Sequence, residues 1–152
     1  MGDYAFSGCA GFTEVTASKA ETIGDHAFTG CTGLTTLTLP KAETIGNFAF
    51  ASCTSLTTVS LPKAETIGDY AFTDCTGLTT VNLGIMPPSI GTGIFRDAST
   101  GTARTITFKA PQLTLYTVSP WTDKLGTSTD WETYWDNSDA TRDNLTVALE
   151  TL

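Results

Sequence analysis

Residues 41–61 read KAETIGNFAFASCTSLTTVSL, and residues 63–83 read KAETIGDYAFTDCTGLTTVNL. Fifteen of the 21 positions are identical. Residues 19–39, KAETIGDHAFTGCTGLTTLTL, carry the same pattern upstream, and the chain opens part-way through another copy, GDYAFSGCAGFTEVTA. Three files of residues keep a strict spacing of 22: Phe6, Phe28, Phe50 and Phe72; Cys9, Cys31, Cys53 and Cys75; Phe12, Leu34, Leu56 and Leu78. A repeat of this period marks a solenoid, whose units bury their apolar faces only against their neighbours.

A degenerate coil follows. Ile90-Gly91-Thr92-Gly93-Ile94-Phe95 aligns with Ile67-Gly68-Asp69-Tyr70-Ala71-Phe72, and Thr105-Ile106-Thr107-Phe108 aligns with Thr80-Val81-Asn82-Leu83. The stretch between them is two residues longer and lacks the cysteine. The reading is five coils, over 1–18, 19–40, 41–62, 63–83 and 84–111, with a C-terminal capping region over 112–152. Within a coil, Val59 and Leu61 alternate with Thr58 and Ser60, the period of a strand buried on one face. Pro62 lacks an N–H and should end that strand. Gly68 is read as a turn residue using its backbone freedom. The step from Asp69 to Phe72 is too short for a regular helix, so a 3₁₀ or single α turn is expected there.

The motif Ile-Gly-x-x-Ala-Phe-x-x-Cys-x-x-Leu-x-x-Val-x-Leu-Pro resembles the BspA-like (Treponema-type) leucine-rich repeat family, over residues 1 to 111. The resemblance implies an α/β repeat solenoid: a right-handed superhelix with a parallel β-sheet, short 3₁₀ or helical turns on the convex side, and a C-terminal cap. It also implies proteins displayed on or secreted from bacterial surfaces, some of which bind host matrix proteins or other bacteria. The small Ala42 and Ala64 depart from the bulky aliphatic often found before the Ile-Gly step, so the coil should be thinner there.

The net charge is −8, from 8 basic and 16 acidic residues. An acidic chain with no basic stripe repels phosphate backbones, so nucleic acid and anionic membranes are not expected partners. No apolar run approaches the roughly 20 residues that span a bilayer. The first residues are mid-repeat and show no export signal. Met1 falls in the inward isoleucine slot, 22 before Ile23, so the N-terminal edge is uncapped. Further coils upstream, or self-association through that edge, would cover it.

No catalytic machinery is legible, and no cofactor is expected. The four cysteines are read as small buried apolar groups, because equivalent positions in adjacent coils do not suit disulfide geometry, and residues in one row cannot make a tetrahedral metal site. His26 is the only histidine and fills the slot of Tyr4, Phe48 and Tyr70, which makes it an aromatic substitute rather than a base. The rows Glu21, Glu43, Glu65 and Lys19, Lys41, Lys63 read as solvated surface. The expected concave face carries Thr16, Thr36, Thr38, Thr58, Ser60, Thr80, Asn82, Thr105 and Thr107, with Glu14 at its start, a nearly uncharged hydroxyl lattice. Threonine is a good strand former that pairs well across strands, which accounts for the lattice structurally. As a function, the lattice would be a flat surface for protein or glycan.

In the tail, Trp121, Trp131, Tyr134 and Trp135 form an aromatic patch, suited to a cap core or to stacking of sugar rings. Residues 130–135 suit a short helix, and Leu145-Thr146-Val147-Ala148-Leu149 alternates like a strand. Asp136-Asn137-Ser138-Asp139 lacks the spacing of a calcium loop and reads as a polar turn. The function expected is an adhesion or protein-interaction module without catalysis; the alternatives are a glycan-binding module or a structural spacer.

Overall fold

The computed structural model describes residues 1–86, 88–96, 104–111 and 145–151. Its strands are β1 (Glu14–Thr16), β2 (Thr22–Ile23), β3 (Thr36–Thr38), β4 (Thr44–Ile45), β5 (Thr58–Leu61), β6 (Thr66–Ile67), β7 (Thr80–Leu83), β8 (Ser89–Ile90), β9 (Arg104–Ala110) and β10 (Leu145–Thr151). They form a six-stranded sheet in the order β1-β3-β5-β7-β9-β10 and a four-stranded sheet in the order β2-β4-β6-β8. Every pairing is parallel. The second to fifth coils each add one strand to each sheet, and the first coil adds β1 to the large one. The second sheet, at the Thr-Ile step, was not anticipated from sequence.

Register follows the repeat. Thr36 pairs Thr58 and Thr58 pairs Thr80, so Leu37, Val59 and Val81 form one inward file. These three are fully buried, and Leu39, Leu61 and Leu83 form a second buried file. β5 stops at Leu61, directly before Pro62. Ile23, Ile45 and Ile67 turn inward from the second sheet. Ala42 and Ala64 are buried in the step between the sheets. The phenylalanine file is a continuous ring stack, with centroids 5.1 Å apart for Phe6–Phe28 and 5.3 Å for both Phe28–Phe50 and Phe50–Phe72.

The third wall of each coil departs from expectation. No helix occurs among the described residues. The aromatic residue of the step is instead left-handed, with φ of 56° at His26, 52° at Phe48 and 56° at Tyr70. The N–H groups then alternate in direction. His26, Phe28 and Gly30 donate to the carbonyls of Asn47, Ala49 and Ala51 in the next coil, at 2.9, 2.7 and 2.8 Å. Ala27, Thr29 and Cys31 donate three residues back within their own coil. A helix would keep all these bonds local; here every second one ties coil to coil.

Holding a bulky residue at positive φ costs about 1–2 kcal/mol. Ring stacking offsets it: Tyr4, His26, Phe48 and Tyr70 lie nearly parallel, with centroids 4.7, 4.9 and 5.0 Å apart. His26 thus takes the aromatic-row place assigned to it. Gly68 corrects a second reading, since its φ is not in the left-handed region. A Cβ there would lie 2.7 Å from Asn47 Oδ1 and 2.8 Å from Asn47 N. The glycine supplies room for the neighbouring coil, not turn freedom.

The degenerate coil is also registered differently. Thr107, not Thr105, stands opposite Thr80, and Lys109 stands opposite Asn82. The shift is two residues, so the same residues keep the outward face, and Ile106 remains buried. β10 then pairs with β9 from Leu145↔Arg104 to Thr151↔Ala110 as the sixth strand. Residues 112–144, with the expected short helix and polar turn, lie outside the described residues.

Candidate functional site

The outward face of the large sheet gathers most of the residues assigned to it. Thr16 on β1 is exposed. Thr36 and Thr38 on β3, Thr58 and Ser60 on β5, and Thr80 and Asn82 on β7 are half-exposed, as is Thr107 on β9. Register lines up Thr36, Thr58, Thr80 and Thr107 in one rank and Thr38, Ser60, Asn82 and Lys109 in the other. Lys109 is a member the sequence reading missed, because it rested on the earlier register. Thr105 lies near the start of β9, two residues before Thr107, and pairs with Thr146 of β10. Trp121, Trp131, Tyr134 and Trp135 lie outside the described residues, so the aromatic patch has no described geometry.

Two kinds of threonine are separated by their hydrogen bonds. Thr35, Thr57 and Thr79 donate their hydroxyls to the carbonyls of Thr13, Thr35 and Thr57 at 2.7, 3.0 and 3.2 Å, one coil back. These clamp the stack. The next residues, Thr36, Thr58 and Thr80, point their hydroxyls outward, and among the described residues no hydrogen bond engages them. Thr36, Thr58 and Thr80 thus present a file of hydroxyl groups at the strand spacing, about 4.8 Å.

A second ladder escaped the sequence reading. Asp3, Asp25, Asn47 and Asp69 each follow the glycine of their coil. The Oδ1 of each accepts the N–H of its counterpart one coil on: Asp25, Asn47, Asp69 and Thr92, at 2.9, 2.7, 2.8 and 2.7 Å. The signal was present as a fourth file at the same period, one the sequence reading did not single out. Asn47→Ala leaves the Asp69 N–H without its acceptor and should destabilise the fold by about 1–2 kcal/mol in urea titration.

The cysteine file is interior. Cys31, Cys53 and Cys75 are fully buried, none of the four cysteines is in a disulfide, and Cys9 is half-buried in the first coil. The Sγ–H groups of Cys31, Cys53 and Cys75 donate to the carbonyls of Phe6, Phe28 and Phe50 at 3.1, 3.2 and 3.0 Å. Burial pushes the Cys31 thiol up to about 11, and the neighbouring Cys53 adds to the rise. The folded state therefore holds this proton more tightly than the unfolded chain. The resulting stability is complete below pH 9 and is lost as pH rises from about 9 to about 11. Thermal melts across that interval should fall less steeply for Cys31→Ala than for the parent. Thiol labelling at pH 8 should modify Cys9 well before the other three.

The repeat, the inward files and the paired sheets together fix the kinship. The BspA type leucine rich repeat region matches residues 1–117 in six copies. The chain belongs to the BspA-type leucine-rich repeat family. Residues 1–117 include all five coils read from the sequence and extend six residues past the end of the last. No curated protein matches the chain, and no solved structure does. BspA-type repeats are protein-interaction repeats, typically found on surface or secreted proteins. Among the described residues no helix is long and apolar enough to cross a membrane.

Proposed function

We propose that this BspA-type chain is an adhesion module of a bacterial cell-surface or secreted protein, acting by contact and not by catalysis. Its contact surface is the outward face of the large sheet. One observation carries this reading: Thr35, Thr57 and Thr79 spend their hydroxyls on the stack, while Thr36, Thr58 and Thr80 beside them do not. The stack is clamped by the file just before the strands, so the strand threonines are not needed for that task. Among the described residues the face lacks an aromatic anchor, so each coil contributes little and affinity grows with the number of coils engaged. Host matrix proteins or proteins of other bacterial surfaces are the partner class. The region after residue 111 serves as the cap of the last coil.

The test is surface-plasmon binding to a panel of immobilised host matrix proteins, with the parent chain and a Thr58→Glu/Thr80→Glu variant. Both positions are half-exposed, so the variant should fold. At least one matrix protein should bind the parent, and the variant should bind it at least about tenfold more weakly. Equal binding by the two chains, or none by the parent, contradicts the proposal.

A further inference from the structure

The fifth coil breaks the surface chemistry of the repeat at one place. Coils two to four each carry Lys-Ala-Glu there, at 19–21, 41–43 and 63–65. The fifth carries Ile85-Met86-Pro87-Pro88 instead. The backbone nevertheless continues the stack: Glu65 N–H donates to Glu43 O and Ser89 N–H to Glu65 O, both at 2.8 Å. Pro88 is buried in that stack, but Ile85 and Met86 are not. Ile85 is 52% exposed and Met86 56%. Beyond the first coil, they are the large apolar side chains left exposed among the described residues. They form one wall of a groove of about 390 Å³, whose other wall carries Pro62, Lys63, Glu65 and Glu43.

We infer that this groove is a second docking surface, for a protein segment that presents an apolar side chain flanked by lysine or arginine. The inference rests on the protein-interaction reading and adds a place and a chemistry to it. Clustered exposed apolar side chains within a polar rim mark an interaction site. Methionine is flexible and polarisable, and adapts to whatever apolar side chain enters. The rim supplies two carboxylates, Glu43 and Glu65, against one ammonium, Lys63. The chain as a whole carries −8 and attracts a cationic segment from a distance. In coils two to four a lysine stands two residues before each glutamate; the coil after Glu65 brings Ile85 and Met86 with no lysine in that stretch, which leaves the rim open to an incoming cation.

The experiment uses the full chain and a synthetic array of short peptides, each with a central Leu, Phe or Trp. One half of the array flanks that residue with Lys or Arg, the other with Asp or Glu. Binding is read by fluorescence anisotropy. Cation-flanked peptides should bind, acid-flanked ones should not, and raising the salt should weaken binding as exposed charge pairs are screened. Ile85→Asp or Met86→Asp should weaken binding at least about tenfold, the loss of one hot-spot residue. Glu43→Lys/Glu65→Lys should shift preference to the acid-flanked half. All four positions lie on the surface, and an unchanged melting curve confirms that each variant is folded. Thr58→Glu/Thr80→Glu should bind the peptides as the parent does. Silence across the array, equal binding by both halves, or indifference to Ile85→Asp overturns the groove. Peptide binding lost in the threonine variant alone overturns the groove while leaving the sheet-face reading standing.

Discussion

Phe50→Ala is expected to destabilise the protein by about 3–5 kcal/mol, the cost of emptying a large, fully enclosed side-chain site. Phe50 is fully buried and stacks on Phe28 and Phe72 at 5.3 Å each. It has no alternative partner, because each coil supplies one ring to the file. Neighbouring coils cannot collapse into the void, since their separation is set by the sheets on two walls and the alternating bonds on the third. In a solenoid, stability is a sum of coil and interface terms, so a central lesion weakens two interfaces at once. Phe6→Ala is the control. Phe6 is half-buried and meets only one ring of the file, Phe28, besides Phe12 of its own coil. It should cost less than half as much. Urea midpoints of the two variants against the parent provide the comparison.

Gly46→Ala is expected to cost about 3 kcal/mol or more, at the upper end of overpacking penalties. A Cβ at Gly46 would lie 2.5 Å from Asp25 Oδ1, 2.7 Å from Asp25 N and 2.7 Å from the Gly24 carbonyl carbon. Two of these atoms are backbone and cannot swing aside. Relief requires the coils to part, which lengthens the Gly46 N–H bond to Ile23 O and the bond from Asn47 N–H to Asp25 Oδ1. Alanine is ordinarily the better residue for a site with φ below zero, because it loses less entropy on folding. A destabilised Gly46→Ala therefore separates a demand for space from a demand for turn freedom. Thermal unfolding gives the sign, and an alanine as stable as the parent would refute the ladder geometry. Gly11→Ala, where a Cβ meets no atom within 4 Å, should be near neutral.

The strands and the interior were legible because they depend on period alone. Val59 and Leu61 alternate with Thr58 and Ser60, and Pro62 ends the run; no tertiary information is needed for either statement. The register of β9 was not legible for the same reason. Pairing Thr105 or Thr107 with Thr80 puts the same face inward, so hydrophobic pattern cannot choose between them. The choice depends on the path between Phe95 and Ile106, where the repeat gives no ruler. The turn wall was legible only in its local half: the bonds three residues back suit a short turn, but the alternate bonds to the next coil do not show in one repeat. The left-handed aromatic row pays only when rings stack across coils, a non-local gain.

At the candidate site, the sequence placed the outward threonines but could not separate Thr35 from Thr36 by role. That distinction is a matter of which hydroxyl reaches a carbonyl one coil back. Ile85 and Met86 went unremarked because the fifth coil aligns with no repeat residue there. Whether they are buried or displayed is decided by the packing of the step between the two sheets.

A crystal structure of the chain tests the coil stack itself. It should show the Sγ atoms of Cys31, Cys53 and Cys75 in a single interior file, on the carbonyls of Phe6, Phe28 and Phe50 at 3.1, 3.2 and 3.0 Å. A thiol displaced from that file, or strands β3, β5 and β7 offset from the 22-residue register, would contradict the account at its base.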